Sequence, residues 1–535
     1  NARTTPAVSK RAYPQPMSVR RVAGIRREAV SRSATTAKGS RSQANPANRM
    51  TTGIEMIRRE RRENDTLGLR GGASSRMASA DPLAPHERRL LLPAEPCEGQ
   101  VGASERDAEP HAPDDNGAAL VEIHVRGDLV VPGGLAGSLW PVASGEMGDT
   151  DLSSEVRELR ARMRTFIDES VVPAEADLAG EDDAAFAALD DLRQRAKAEG
   201  LWALGHPVEL GGAGLPFMDF VFLNEIIGRS HWGQAAVGTL SMQDSIMLHR
   251  FAGPAQRASF LTPLVAGEIL PSVAMTEPDV AGSDPTLMEA TATLDGEEWV
   301  INAHKWFTTG ANRAAFTTVF AITEPAADRH ARFSAILDPT DTPGYEIVQV
   351  VPTMGHTGGG HCEVRLTDAR VPADHLLGER GAGFAIAQAR LGPGRIFHCM
   401  RWLGQAQRAF ELMCERATSR WAHGSYLAEK GEIQAMIAES AAEIQAARLM
   451  TLDAAKALDA GSDARIEVSL IKFWGARMLH NVIDRAIQVH GALGVTDRTP
   501  LEFMYREARY ARLYDGPDEV HRMVVARRLV RDPVA

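Results

Sequence analysis

The spacing of apolar residues changes period twice along this chain, and that order constrains the fold more than any other feature. From Leu152 onward the spacing is helical: Val156, Leu159, Met163, Phe166 and Ile167 share one helix face, with Ser153 or Ser154 placed to cap it. Further helical stretches span Phe186–Ala198, Phe217–Gly228 and Gln243–Phe251. Residues 271–380 turn to short strand-like runs, and from Gly383 to Val530 the pattern is helical again. A period of 3.6 does not bury one face of a strand, nor a period of 2 one face of a helix. The chain therefore reads as an α+β protein of three domains: an N-terminal helical domain over 147–270, a middle antiparallel β domain, barrel or sandwich, over 271–380, and a C-terminal four-helix bundle over 381–535.

Within the middle domain, Ala290–Leu294 and Trp299–Asn302 flank Asp295-Gly296, a strong hairpin signal. Phe316–Ile322, Phe333–Leu337, Tyr345–Val351 and Cys362–Leu366 supply further strands, with turns at Thr342-Pro343-Gly344 and Gly358-Gly359-Gly360. In the C-terminal domain a first stripe holds Ile396, Met400, Leu403 and Phe410. A second holds Ile433, Ile437, Ile444 and Leu452, and a third Leu470, Trp474, Met478, Ile483 and Ile487. Three long helices and a shorter fourth follow, and the stripes read as core. The Gly-rich segment Gly378–Gly383 does not follow the strand of a βαβ unit, so it reads as a loop and not as a dinucleotide fingerprint.

No apolar run is long enough to span a membrane. Four cysteines without paired spacing exclude a disulfide framework or zinc ribbon and fit a reducing, cytoplasmic setting. His356, His361 and Cys362 lie in a Gly-rich hairpin without metal-ligand spacing, so no metal site is expected. Residues 1–146 hold 21 of the 59 basic and 17 of the 70 acidic residues, which leaves 147–535 at a net charge of −15. An acidic body of this kind argues against nonspecific nucleic-acid binding.

Residues 1–80 are rich in Arg, Ser, Ala and Thr, and 81–146 are acidic and rich in Pro, Gly and Ala. Such a composition buries too little apolar surface to offset ordering entropy, so 1–146 reads as a disordered extension. Other readings stay open. The Arg-rich start fits a transit peptide to the mitochondrial matrix, and the first 76 residues fit a basic interaction arm. The whole stretch also reads as an upstream extension of a protein starting at Met147.

Two segments carry the chemistry. Ala274-Met275-Thr276-Glu277-Pro278-Asp279-Val280-Ala281-Gly282-Ser283-Asp284 is a strand that breaks at Pro and turns, offering hydroxyls and backbone N–H groups. Lys305-Trp306-Phe307-Thr308-Thr309-Gly310 puts an indole, a benzyl ring and two hydroxyls at a strand end, groups that seat a flat, polar-edged ring system. In this order and spacing the pair resembles the middle domain of the acyl-CoA dehydrogenase family, where these segments hold FAD. The resemblance covers residues 151–532. Gly392-Pro393-Gly394-Arg395 and Asp515-Gly516-Pro517-Asp518-Glu519-Val520 bring it nearest to a branch that can carry an upstream kinase-like domain.

That resemblance implies FAD contacts at Met275, Thr276, Gly282, Ser283, Trp306, Phe307 and Thr308. It implies further contacts to a neighbouring subunit's FAD from Arg420, Gln488 and Gly491, and hence a homodimer or homotetramer. The pattern departs from the family at His423, Gly431 and Ala492. The family's base lies in Tyr-Glu-Gly-Thr; here Tyr514-Asp515-Gly516-Pro517 stands there, with Asp515 as the base. The alternative base position, before Arg395, is Gly394. Asp515 and Gly516 also read as a plain helix start, with Pro517 at its first position.

Arg395, His398 and Arg401 share one helix side and, with Ser283 and Gly516, are candidate substrate contacts; surface or interface pairing fits His398 and Arg401 equally well. The implied activity is α,β-dehydrogenation of an acyl-CoA thioester, a step of fatty acid β-oxidation. Asp515 takes the α-proton, flavin N5 the β-hydride, and an electron-transferring flavoprotein the electrons. A flavin oxidase of the same fold, of acyl-CoA or nitroalkane type, is the first rival reading; a non-catalytic nucleic-acid-binding member is the second.

Overall fold

The computed structural model describes residues 152–180, 182–354 and 360–531. The 1–146 extension, Met147, Cys97 and His356 lie outside these. Among the described residues, and leaving aside single-turn helices, four helices come first: α1 (Ser154–Phe166), α2 (Asp183–Ala198), α3 (Phe217–Ile227) and α4 (Met242–Phe251). The cap of α1 is Ser153, whose hydroxyl accepts the Val156 N–H at 3.2 Å. Asp182 caps α2 through Ala185 N–H at 2.9 Å.

Eight strands follow: β1 (Pro271–Ala274), β2 (Thr291–Asp295), β3 (Glu298–Thr309), β4 (Phe316–Ile322), β5 (Phe333–Pro339), β6 (Tyr345–Val350), β7 (His361–Pro372) and β8 (Leu376–Leu377). They form one sheet in the order β6-β7-β3-β2-β4-β5-β8, with β1 also on β4. The Asp295-Gly296 hairpin joins β2 to β3 in register, Asp295 opposite Glu298. The sheet is antiparallel except where β1 runs beside β4 in parallel and β2 meets β4 at Thr291 and Ile322. Among the described residues no pairing joins β6 to β8, so the sheet is curled but open. Its curl brings the Tyr345 hydroxyl of β6 to within 2.8 Å of Thr317 on β4.

The C-terminal domain holds α5 (Gly383–Ser419), α6 (Gly431–Asp459), α7 (Arg465–His490), α8 (Leu501–Ala511) and α9 (Asp518–Arg531). Three are long, as the stripes predict. Two short helices follow instead of one, because the chain breaks at residues 512–517 before α9. Arg395 lies well inside α5, just past Pro393, which removes one N–H from that helix.

Two apolar cores result. One is shared by the first and last helical domains: Met163, Phe166, Leu223 and Ile227 pack in the same cluster as Leu403, Met413, Ile471 and Ile483. The other fills the β sheet and its cover, with Trp299, Phe316, Phe320 and Phe333 at its centre. At 37 residues, α5 is about 55 Å long and enters both. Ile386 and Ala387 belong to the β core, and Ile396 onward to the helical core. The changeover falls at Gly392-Pro393-Gly394, beside Arg395, His398 and Arg401.

Candidate active site

The middle-domain segments are joined by a buried ion pair. Lys305, fully buried in β3, sends its ammonium to Glu277 Oε1 at 2.8 Å and to the Met275 carbonyl at 3.0 Å. Glu277 also accepts the N–H groups of Glu289 at 2.7 Å and Ala290 at 2.9 Å. Burial pulls the Lys305 amine down to about 8, against the opposing pull of Glu277. Trp306 N–H donates to the Thr276 carbonyl at 3.0 Å, so the segment that follows β1 lies along the end of β3. Sequence reading singles out Thr276 and Trp306 but not the Glu277–Lys305 pair that holds them in register.

β3 is bulged at this point: Lys305 pairs with Val364 and Thr308 with Cys362, one residue more on β3 than on β7. Phe307 takes up the bulge at φ 50° and stays 43% exposed, its ring 4.9 Å from that of half-buried Trp306. These features fit a bound flavin. The Thr308 hydroxyl is buried without a hydrogen-bond partner among the described residues. A Cβ on Gly282 would lie 2.7 Å from Thr276 Cγ2, so that turn presents backbone there, with Ser283 exposed beside it. Arg420, Gln488 and Gly491 are exposed at the ends of α5 and α7. His361 and Cys362, adjacent in β7, point to opposite sides of the sheet, Cys362 into the core.

The second cluster surrounds Asp515. Residues 512–517 make the turn between α8 and α9, with Asp515 at φ 51° and Gly516 at φ 97°. A non-glycine residue in the left-handed region is strained, and here three donors hold the backbone. Arg395 Nε and His521 Nε2 each donate to the Asp515 carbonyl at 3.1 Å. Lys472 Nζ, buried in α7, donates to the Ala511 carbonyl at 2.8 Å and the Gly516 carbonyl at 3.3 Å. Its charge lies over the rings of Trp402 at 5.3 Å and Tyr514 at 5.2 Å. Pro517 stands just before α9, so the helix start and the cluster use the same residues.

The carboxylate of Asp515 is 17% exposed, with His398 Nε2 3.1 Å from Oδ2. The approach is poorly aligned, so Oδ2 has no well-formed hydrogen bond. Burial alone raises this acid, but His398, Arg390 and Arg395 outweigh it and hold the group well below the usual carboxylate range. Arg390 is itself paired to Asp244 of α4 at 2.8 Å. His398 is pulled down to about 4 by burial and by Arg401, against Asp515. Arg401 Nη2 donates to His398 Nδ1 at 2.7 Å. Position 394 carries no side chain: a Cβ there would lie 2.4 Å from Gln243 Nε2, and this amide sits 3.1 Å from His398.

So the structure gathers Arg395, His398 and Arg401 around Asp515, and Thr276 with Trp306 in the β domain. Sequence reading misses Gln243, Arg390, Lys472 and His521. Only Lys472 leaves a signal, the single lysine of α7, beside its apolar stripe. Among the described residues no group of three His, Cys, Asp or Glu side chains is arranged to hold a metal, and no helix is long and apolar enough to cross a membrane.

The chain matches known proteins domain by domain. Residues 153–268, 272–369 and 381–530 match, in turn, the N-terminal, middle and C-terminal domains of acyl-CoA dehydrogenase. A Mycobacterium tuberculosis protein named probable acyl-CoA dehydrogenase FadE2 is 44% identical over 397 residues, 71% of this chain and 96% of that one. The mouse acyl-CoA dehydrogenase family member 10 is 40% identical over 70% of this chain, which spans only 37% of the mouse protein. A solved Mycobacterium abscessus homologue superposes with a TM-score of 0.67 at 39% identity, covering 71% of this chain and 99% of its own. A solved FAD complex of PigA shares the fold, with a TM-score of 0.65 at 22% identity over 71% of this chain and 98% of its own. With three successive domain matches and a relative 44% identical over nearly its whole length, this chain belongs to the acyl-CoA dehydrogenase family of oxidoreductases.

Proposed function

We propose that the protein is an FAD-dependent acyl-CoA dehydrogenase in which Asp515 removes the α-proton of an acyl-CoA thioester. The observation that carries this reading is a half-buried carboxylate in a strained turn, surrounded by cations, with its Oδ2 out of water and lacking a well-formed hydrogen bond. In the step, the Cα–H bond breaks and the proton goes to the Asp515 carboxylate as an O–H bond forms. FAD, when bound, supplies the acceptor for the β-hydride. Met275, Thr276, Gly282, Ser283, Trp306, Phe307 and Thr308 would hold it within one subunit. The exposure of Arg420, Gln488 and Gly491 suits their contributing to a second copy's cofactor, in a homodimer or homotetramer.

Asp is one methylene shorter than Glu, about 1.5 Å of reach. The left-handed turn is the local feature that directs the shorter side chain. A cationic surround keeps it ionised before substrate arrives, and its Oδ2 is already out of water. Ser283 and Gly516 remain candidates to touch substrate, whereas Arg395 and His398 are engaged with Asp515 and Arg401 with His398. Electrons would pass to an electron-transferring flavoprotein, within fatty acid β-oxidation in the cytoplasm.

The test is an anaerobic titration of the purified yellow protein with a panel of acyl-CoAs, read by flavin absorbance. Bleaching by one or more saturated acyl-CoAs, with little oxygen consumption in air, is the expected result. A correctly folded protein that neither holds nor takes up FAD would remove the reading. Rapid oxygen consumption with a bound substrate would replace it by an oxidase.

A further inference from the structure

The hydrogen bonding around His398 fixes its tautomer. Arg401 has only N–H groups to offer, and its Nη2 lies 2.7 Å from His398 Nδ1, so Nδ1 must be the acceptor. With Nδ1 unprotonated, the single ring proton of a neutral imidazole is on Nε2. Two groups lie 3.1 Å from Nε2: the side-chain amide of Gln243, in hydrogen-bond geometry, and Asp515 Oδ2, toward which the N–H is poorly aligned. An amide N–H₂ cannot accept from Nε2–H, so Gln243 must turn its oxygen toward the ring. The ring is fixed in the site. It stacks on Trp402, with centroids 6.1 Å apart and planes 22° apart, and its centroid lies 4.9 Å from that of Tyr514. Gln243 fits because position 394 is glycine, and it comes from α4, outside the C-terminal helices.

We propose that His398 is a neutral positioning residue whose Nε2–H, held in place by Arg401, is shared between two acceptors, Asp515 while it is ionised and Gln243 once Asp515 carries the proton. This rests on the reading of Asp515 as base and deepens it. While the carboxylate is charged, it draws the Nε2–H, 3.1 Å away, from Gln243 toward Oδ2, and the N–H then favours the anion. When Asp515 takes the α-proton, a donor aimed at Oδ2 would be left unsatisfied in a buried site, and the Gln243 oxygen receives it instead. No proton leaves His398 in either state. The other charged and titratable groups facing the ring are Arg401 on α5, Lys472 on α7 and Tyr514 on the turn. A second imidazole proton is opposed there by burial and by the Arg401 and Lys472 charges.

The test pairs a direct and a kinetic measurement on the full chain with its flavin. Nitrogen-15 spectra of histidine-labelled protein at pH 7, with His398 identified by its loss in His398→Gln, should give a neutral ring protonated on Nε2. A ring protonated on Nδ1, or an imidazolium, would overturn the proposal. In single-turnover flavin reduction, His398→Leu should move the acid limb of the pH profile up by about one unit or more, so that at the variant's new midpoint wild type still keeps roughly nine-tenths of its plateau rate while the variant keeps about half of its own. Acyl-CoA affinity should stay within about threefold, and His398→Gln, which restores an N–H donor, should return the limb to its wild-type position. An unmoved limb, or weakened acyl-CoA binding with an unmoved limb, would overturn the proposal and make His398 a structural or substrate contact. If His398→Leu does not fold, the nitrogen-15 spectrum of wild type decides alone. Asp515→Asn separates the two readings: undiminished reduction in that variant removes the base assignment itself, whereas loss of reduction there with an unmoved limb in His398→Leu removes only this inference.

Discussion

Asp515 carries a side chain shorter than the family's usual residue on a backbone that few L-residues adopt, and these two facts belong together. If the turn is shaped for the shorter acid, Asp515→Glu pushes the carboxylate past its productive position, and flavin reduction should fall by roughly tenfold or more with FAD content unchanged. A stopped-flow comparison at saturating acyl-CoA checks this; an equal or faster rate would mean that the turn merely tolerates Asp. A second carboxylate makes a pH prediction. Asp338 is fully buried in β5, both oxygens lack a well-aligned donor, and burial pushes the group up to about 6 from its ordinary 3.8. A raised acid favours the folded state when protonated, so its contribution is largest below about pH 4 and is lost as pH rises through about 6. Asp338→Asn should therefore raise stability at pH 7–8 by on the order of 1–3 kcal/mol and flatten melting temperature against pH between 4 and 6. Thermal melts of both proteins across that range decide it.

At the scale of elements, α5 explains why the site is where it is. Its first turns pack on the β core, the rest on the helical core, and Arg390, Arg395, His398 and Arg401 lie around the crossing. Against α3 the two backbones nearly touch: a Cβ at Gly404 would lie 2.0 Å from the Glu225 carbonyl, and one at Gly228 2.2 Å from Arg401 Cα. Gly404→Ala should thus force the helices apart and cost roughly 2–4 kcal/mol, visible as a lower urea midpoint. It should also slow flavin reduction, because Arg401 sits opposite Gly228. A variant of wild-type stability would show that the crossing is looser than this packing requires.

At the scale of the molecule, the N- and C-terminal helices form one core, pinned by ion pairs, of which Arg448–Glu225 is buried. Arg448 of α6 reaches Glu225 of α3 at 2.8 Å, Arg408 of α5 reaches Glu175 at 2.7 Å, and Arg229 bridges Asp168 and Glu411 at 2.8 and 2.7 Å. We expect residues 381–531 expressed alone to lack fixed tertiary structure, because the face that Met163, Phe166, Leu223 and Ile227 cover would be left in water. Near-UV circular dichroism and amide exchange of that fragment test the point. A cooperatively folded fragment would make the bundle self-sufficient.

What the sequence by itself determined follows from local physics. Periods of 3.6 and 2 mark which segments are helix and which strand, a Gly at positive φ marks the β2–β3 hairpin, and a Ser marks the start of α1. Residues three and six apart on one helix, Arg395, His398 and Arg401, are on one side whatever the fold. Asp515 stands out through the order of residues around it. What only the tertiary structure decided depends on residues far apart in the chain. That Gln243 fills the place left by Gly394, that Lys472 and His521 hold the Asp515 turn, and that Lys305 locks Glu277 beneath Thr276 all come from approaches between separate elements. The merging of two helical segments into one core is of the same kind. A hydrophobic stripe states that a face must be covered, but not by what, since burial is nondirectional and any apolar surface of the right shape satisfies it.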